Sequence, residues 1–312
     1  MKIAVIGPGA MGCLFAAFFA EAGGDVWLLD HDPDRAKLLN EEGLSLDGVS
    51  GSHHVRVPVS ADPAGLGRAD LILVCVKSYD TPRAAEIIAP SLTPGAMVLT
   101  LQNGLGNVEA LSERLGAGPV LAGVTAQGAN LLAPGRVHHA GAGETVIGEL
   151  SGEVTPRLRK LVSLFNSAGL PARETRELRA VLWGKLILNA AINPLAALLR
   201  VRNGALLRPP ISQLMQQIIA EAAAVAHAAG IALPYSDPVA RARQVCEDTA
   251  QNINSMLQDV LHQRCTEVEA INGAIVTEGN RLGLTTPLNG LLGQLLTALQ
   301  AAYAHQKLEE RG

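Results

Sequence analysis

Apolar residues in the first half of the chain gather in short runs separated by helical stretches. Beyond residue 156 they recur almost entirely at helical spacing. The chain opens on Lys2-Ile3-Ala4-Val5-Ile6, an apolar run of the kind a parallel strand covered on both faces requires. Gly7-Pro8-Gly9-Ala10-Met11-Gly12 follows, then an Ala-, Phe- and Leu-rich helix to Ala22, closed by Gly23-Gly24. Asp25-Val26-Trp27-Leu28-Leu29-Asp30 is the next strand. Further strands are predicted at 70–77, 96–101, 120–127, 136–139 and 145–148, with helices at 81–89 and ending at 115. The second half predicts helices at 157–168, 174–199, 211–229, 238–250 and 287–304. Residues 255–282 predict two helical pieces, opened by the capping boxes Ser255-x-x-Gln258 and Thr266-x-x-Glu269. The fold class is therefore α/β, a doubly wound sheet over 1–168 followed by an all-helical domain over 169–312.

One predicted helix breaks its own apolar pattern. In the stretch 181–195, Lys185, Asn189 and Asn193 are the only polar side chains, and they stand four residues apart. That spacing puts all three on one side of a helix that is apolar elsewhere. Burying an ammonium and two amides without partners costs several kcal/mol each, so something polar must meet the stripe. Either a satisfied interior network or a bound molecule would serve. Lysine is scarce here, six against nineteen arginines, and it is the cation that can give up a proton when desolvated.

The G-x-G-x-x-G sits between a strand and a helix, with the acid Asp30 ending the following strand. Gly7 permits the tight turn, Gly9 lets a pyrophosphate approach the backbone, and Gly12 lets the helix pack on the strand. The N–H groups of the first helical turn, beginning at Ala10 and Met11, then face the phosphates. This order of elements predicts a dinucleotide site and is far more specific than the glycines alone. Lys77 and Asn103 each follow a strand, where an open α/β sheet binds its ligands, although a solvated loop charge and an Asn-Gly turn explain them equally.

Composition narrows the classes. At 312 residues, 48% hydrophobic and 17% charged, the chain supports two cored domains and is globular rather than disordered. A net charge of −4 without a basic run argues against nucleic acid or anionic lipid as the main partner. No apolar stretch reaches the ~18 residues of a membrane helix without a polar or glycine interruption. Lys2 and its apolar successors imitate a secretory leader, but glycines interrupt the run and no cleavage site follows. The four cysteines show neither C-x-x-C nor metal spacing, which predicts no metal, a reduced compartment and a cytoplasmic protein.

Together these segments resemble the ketopantoate reductases (2-dehydropantoate 2-reductases). The matching residues are the 7–12 glycine motif, Val76-Lys77, Leu101-Gln102-Asn103-Gly104-Leu105-Gly106, and Trp183-Gly184-Lys185 through Asn189 to Asn193-Pro194-Leu195. Asn203-Gly204, Asn252-Ile253-Asn254-Ser255-Met256-Leu257-Gln258-Asp259 and Thr266-Glu267 through Ile271-Asn272-Gly273 extend the match over nearly the whole chain. The resemblance implies a Rossmann-type domain, a helical domain and a cleft between them, with ketopantoate reduced to (R)-pantoate on the route to pantothenate and coenzyme A. It makes Lys185 the catalytic lysine and Glu267 a carboxylate of the substrate pocket. It places Asn189, Asn193, Asn203, Asn252 and Ser255 against the substrate and Asn103 near both the nicotinamide and the reacting carbonyl. Lys77 becomes the lysine at the cofactor edge.

The residue types suit the reaction. Hydride arriving at a 2-keto carbon leaves charge on oxygen that Lys185 can neutralise, and Glu267 can accept from a distal hydroxyl. The resemblance implies NADP(H). The acid at Asp30, followed by His31, instead favours the free ribose diol of NAD(H). Alternatives are a related reductase of another 2-keto or 3-hydroxy acid, and a nicotinamide-responsive regulatory protein without turnover. The expected partner is a small 2-keto acid rather than nucleic acid or membrane, and the apolar C-terminal helices permit a homodimer.

Overall fold

The computed structural model describes residues 1–309, with side chains as far as Tyr303. Two compact units emerge: Met1–Gln102 with Gly106–Leu178, and Asn103–Leu105 with the chain from Arg179 onward.

The first unit contains β1 (Lys2–Ile6), β2 (Asp25–Leu29), β3 (Leu44–Gly48), β4 (His53–Val55), β5 (Val59–Ser60) and β6 (Leu71–Val74). It continues with β7 (Met97–Thr100), β8 (Val120–Thr125), β9 (Gly128–Ala133), β10 (Arg136–Gly141), β11 (Thr145–Glu149) and β12 (Ala172–Thr175). Its helices are α1 (Ala10–Glu21), α2 (Pro33–Glu42), α3 (Thr81–Ile88), α4 (Asn107–Leu115) and α5 (Pro156–Ser167). Eight strands form one sheet in the order β12-β11-β8-β7-β6-β1-β2-β5, parallel except where β8 meets β11. The continuous apolar runs have a physical cause here. Ile3 and Val5 of β1 enter one core layer while Ala4 and Ile6 enter another on the opposite face. Leu71 and Leu73 divide from Ile72 and Val74 in the same way. Each fully buried Leu or Ile contributes about 1.5–3 kcal/mol. Strand order reverses between β1 and β6, so the loops carrying Gly7 and Lys77 lie at the topological switch point.

Two features depart from the sequence expectation. A second sheet, β4-β3-β10-β9, packs against α1. Its first two strands and β9 went unpredicted, because histidines, glycines and short length mask the alternation. Residues 174–177 are not helical: β12 pairs in parallel with β11 through Thr145–Ala172 and Gly148–Thr175, and the helix begins only at Leu178. The compact division accordingly falls after Leu178 rather than at 168/169.

The helical unit contains α6 (Leu178–Leu199), α7 (Ile211–Ala228), α8 (Pro238–Asp248), α9 (Ser255–Leu261), α10 (Ala274–Arg281) and α11 (Pro287–Glu309). A π-helical turn, Glu269–Gly273, precedes α10. Ile187, Ala190 and Ala191 of α6 share a core with Met215, Ile218, Ile219 and Val225 of α7. By length and composition α6 could cross a membrane, and 67% of its most apolar window is buried in this core.

Neither predicted capping box closes as written. Asn254, not Ser255, caps α9, its side chain accepting from the Leu257 N–H at 3.0 Å. Ser255 is the first helical residue, and Gln258 turns its amide to the Ile253 carbonyl at 2.9 Å. Thr266 accepts weakly from the Val268 N–H at 3.4 Å, but its own N–H donates to Gln300 at 2.6 Å instead of to Glu269.

Candidate active site

The glycine motif is built from backbone. Gly7 has φ +96°, and a Cβ there would meet the Val76 side chain at 2.8 Å. At Gly12 a Cβ would lie 2.0 Å from the Gly7 carbonyl oxygen, so α1 can approach β1 only without one. Gly9 is different: a Cβ there meets nothing within 4 Å, which leaves open space at the N-terminus of α1. No side chain caps that terminus, and the first-turn N–H groups starting at Ala10 and Met11 suit a diphosphate. These residues fit a dinucleotide.

A cavity of about 360 Å³ opens at the carboxyl ends of the strands, lined in part by Gly7, Asp30, His31, Val76, Asp80 and Arg83. Asp30 is buried, with Arg35 bonded to both of its oxygens at 2.5 Å. The Asp32 N–H adds a third bond at 3.1 Å. His31 is exposed, its Nδ1 3.6 Å from Asp30. Arg35 of α2 thus neutralises the acid that follows β2. Lys77 follows β6 and leads the short 3₁₀ turn Ser78–Asp80. Gln102, beside Asn103 in sequence, donates to the Val76 carbonyl at 2.7 Å and to Thr81 at 2.8 Å, tying the loops after β6 and β7 together.

In the helical unit α6 carries Lys185 and Asn189 half-buried and Asn193 buried. Burial pulls the Lys185 ammonium down to about 8, and the charge of Glu267 partly restores it. Glu267 is itself buried, immediately before the first turn that leads into the π-helical segment. The Asn189 amide donates to Asn103 Oδ1 at 3.4 Å. Asn103 is held there by its successor residues. Leu105 donates its N–H to the Ala270 carbonyl at 2.8 Å. Gly104 has φ +84° and would place a Cβ 2.4 Å from that same oxygen. The Asn-Gly pair is therefore more than a turn.

Asn203 departs most from its expected role. It is buried, donates to Thr249 at 2.9 Å and accepts from Asn254 at 3.1 Å, so both ends of its amide are engaged inside the protein. Its backbone N–H donates to the Asn252 carbonyl at 3.2 Å. Asn203 thus clamps the 249–254 segment, which contains Asn252 and leads into Ser255. Thr249 went unnoticed in the sequence and Asn254 stood there only as part of a matching stretch, although Asn ahead of an apolar run is a cap signal. Among the described residues, no group of three or more His, Cys, Asp or Glu could hold a metal ion.

Comparisons with known proteins match both halves of the chain. Residues 3–152 match the model of the family described as Ketopantoate reductase PanE/ApbA, and 177–300 match its C-terminal counterpart. A 2-dehydropantoate 2-reductase of Halobacterium salinarum is 38% identical over 96% of this chain and 99% of its own. A PanE/ApbA-family ketopantoate reductase from Ralstonia eutropha JMP134 superposes with a TM-score of 0.88 at 36% identity, covering 96% and 99% of the two chains. D-mandelate dehydrogenase, solved with NADH and anilino(oxo)acetate, gives a TM-score of 0.92 at 26% identity, covering 97% and 99%. With both halves of its length matched by the paired models, the chain belongs to the ketopantoate reductase family.

Proposed function

We propose that Lys185 is the proton donor and Glu267 the hydroxyl-recognising group in the reduction of ketopantoate to (R)-pantoate. As a ketopantoate reductase the chain is an oxidoreductase, an NAD(P)H-dependent 2-dehydropantoate 2-reductase of pantothenate biosynthesis. The observation that carries the residue roles is the half-buried ammonium on α6, drawn down to about 8 yet kept charged by Glu267. At neutral pH such a group is mostly protonated and can still release its proton, as a general acid requires. A nicotinamide cofactor, when bound, supplies the hydride. The chain's own groups do the rest. Lys185 stabilises and protonates the developing alkoxide, and Asn103 and Asn189 orient the keto acid. Asn193, Asn252 and Ser255 offer uncharged donors to the substrate carboxylate. Asn203 supports Asn252 and Ser255 from behind. The backbone at Gly7, Gly9, Ala10, Met11 and Gly12 holds the diphosphate, while Asp30, His31, Lys77 and Asn103 contact the rest of the cofactor.

For the cofactor we propose NADH used at least as well as NADPH. With Asp30 already paired to Arg35, Asp80 and Glu86 line the strand-end cavity against the guanidinium of Arg83. A 2′-phosphate carrying up to two charges is disfavoured in that surrounding. The same reading takes the protein as cytoplasmic, which four free cysteines suit. The apolar C-terminal helices permit a homodimer.

The likeness to D-mandelate dehydrogenase raises a second substrate, a 2-keto acid bearing an aryl group. Glu267 speaks against it, because its carboxylate offers an acceptor that a distal hydroxyl uses and an aryl group does not. Oxidation of NADH and NADPH is to be followed in parallel with ketopantoate and with an aryl 2-keto acid. Turnover of ketopantoate that exceeds the aryl acid at least tenfold supports the reading, and the reverse order overturns it.

A further inference from the structure

Pro194 lies inside α6 and has no N–H, so the Ala190 carbonyl four residues earlier lacks its intrahelical donor. The missing bond lies in the turn from Ala190 to Pro194, which follows Asn189 and contains Asn193. An orphan carbonyl in a buried core costs roughly 1–3 kcal/mol unless something else donates to it. Asn272 does so: its amide reaches the Ala190 oxygen at 2.9 Å from the π-helical turn.

The orientation of this amide follows from its neighbours. Glu221 and the Ile218 carbonyl only accept, and both take the Asn289 amide nitrogen, at 2.9 and 3.3 Å. Asn289 must therefore point its oxygen at Asn272, which donates to it at 3.0 Å. Asn272 consequently gives one hydrogen to Asn289 and the other to Ala190. Its own Oδ1 is left buried without a partner, and Asn272 as a whole is fully buried. An acceptor tolerated without a bond marks a side chain kept for its donors. Glu221 anchors the far end, also accepting from the Leu288 and Asn289 N–H groups at the start of α11.

We propose that Asn272 is a positioning residue for the reduction: through the Ala190 carbonyl it fixes the proline-broken turn of α6, and so the direction in which Asn189 and Asn193 face. The π-helical turn supplies a second fastening, since Ala270 in the same turn holds Leu105 next to Asn103. One irregular turn thus sets both partners of the Asn103–Asn189 pair. π-Helical turns recur at functional sites for this kind of re-aiming. The inference rests on the assignment of α6 to the substrate site.

The test is a cycle of N272L, P194A and the double variant. Alanine at 194 restores the N–H that Ala190 lacks, so it makes the Asn272 bond redundant. N272L is expected to lower kcat/KM for ketopantoate at least about tenfold, since displacements near 1 Å cost up to ~100-fold. KM for the nicotinamide cofactor should stay within about twofold. P194A in the same protein should recover most of the loss. A merely structural role for Asn272 would not be rescued at residue 194. Normal kcat/KM in folded N272L, or a double variant as poor as N272L, overturns the proposal. Should N272L fail to accumulate as folded protein, P194A and P194A/N272L decide: kcat/KM within about threefold supports it and a tenfold gap overturns it. Amide hydrogen exchange over residues 188–195 provides a readout independent of turnover. Protection lost in N272L and regained in the double variant supports the fastening, and unchanged protection overturns it. A wild-type protein inactive on ketopantoate would defeat the substrate assignment alone, with the exchange pattern still deciding on Asn272.

Discussion

The N-terminus of α1 and the polar stripe of α6, which we propose as the cofactor and substrate sites, are built by opposite means. At α1 the backbone provides the groups, and three glycines within six residues supply the shape. Nothing distant is needed except the neighbouring strand loop at Val76. At α6 side chains provide the groups, and each depends on residues far along the chain. Asn189 meets Asn103, Lys185 feels Glu267, and Ala190 is completed by Asn272. A backbone-made site tolerates almost any side chain outside its glycines. A side-chain-made site carries titratable groups of its own, which a backbone-made site does not.

The largest effect should come from removing the tuned group. K185A is expected to lower kcat by about a hundred to ten thousand, the range for a lost general acid, while the protein stays folded. Steady-state kinetics beside a thermal melt checks both halves, and near-normal turnover would remove Lys185 from its role. The pH profile sharpens the point. With Lys185 at about 8, kcat/KM for reduction should be level below that pH and fall above it, and pantoate oxidation should show the reverse. Stability gives an independent reading. The folded value lies below the ordinary 10.5, so between these limits the unfolded chain binds more protons at residue 185. Wild-type stability should therefore gain a rising component from pH 8 to 10.5, and K185A should lack it.

How far each region was legible follows from the same contrast. Gly7, Gly9 and Gly12 announce their roles by spacing, because backbone geometry is local. Lys185, Asn189 and Asn193 announce a common face, because helical periodicity is local too. What meets that face was beyond the pattern: Asn272 lies 82 residues from Ala190, and Asn103 lies 86 from Asn189. Even so, Pro194 in a buried helix implies an orphan carbonyl and hence a donor somewhere. The resemblance pointed to Glu267, which spacing alone would not have singled out, whereas Asn103 stood out by following a strand. The strand β12 escaped notice because Ala-Arg-Glu-Thr has no apolar alternation and joins the sheet only through its backbone. The clamp at Asn203 was invisible for a related reason, since an amide gives no sign in sequence of whether it faces ligand or protein.

Glu267 tests whether side-chain recognition in the helical unit is specific to a hydroxyl. In E267Q the charge is gone and one acceptor becomes a donor. Ketopantoate should lose at least about tenfold in kcat/KM relative to an analogue lacking the distal hydroxyl, because a site matched to that group discriminates through it. Comparing the two substrates on wild type and variant supplies the measurement. Equal losses would mean that Glu267 acts through Lys185, and the pH profile should then shift with it, since Glu267 raises the lysine.

Asp30 tests the region where backbone dominates and one acid adds the selectivity. Its carboxylate is buried beneath Arg35, which bonds both oxygens, while exposed His31 stands beside it. Pairing cancels much of the charge at long range, yet it also commits the guanidinium to the acid. Replacing Asp30 with Ala therefore acts twice, removing a repulsive group and releasing Arg35 for a phosphate. Arginine introduced at His31 adds a second donor that matches phosphate geometry. D30A/H31R should move the ratio of kcat/KM values towards NADPH by at least about tenfold, or roughly 1.4 kcal/mol. The change should appear chiefly in KM, because the 2′ group is remote from the transferred hydride. Initial rates with both cofactors on wild type and variant decide the matter. A wild-type enzyme that strongly prefers NADPH would mean that Arg35 already serves the phosphate with Asp30 merely orienting it, and D30A should then weaken NADPH instead.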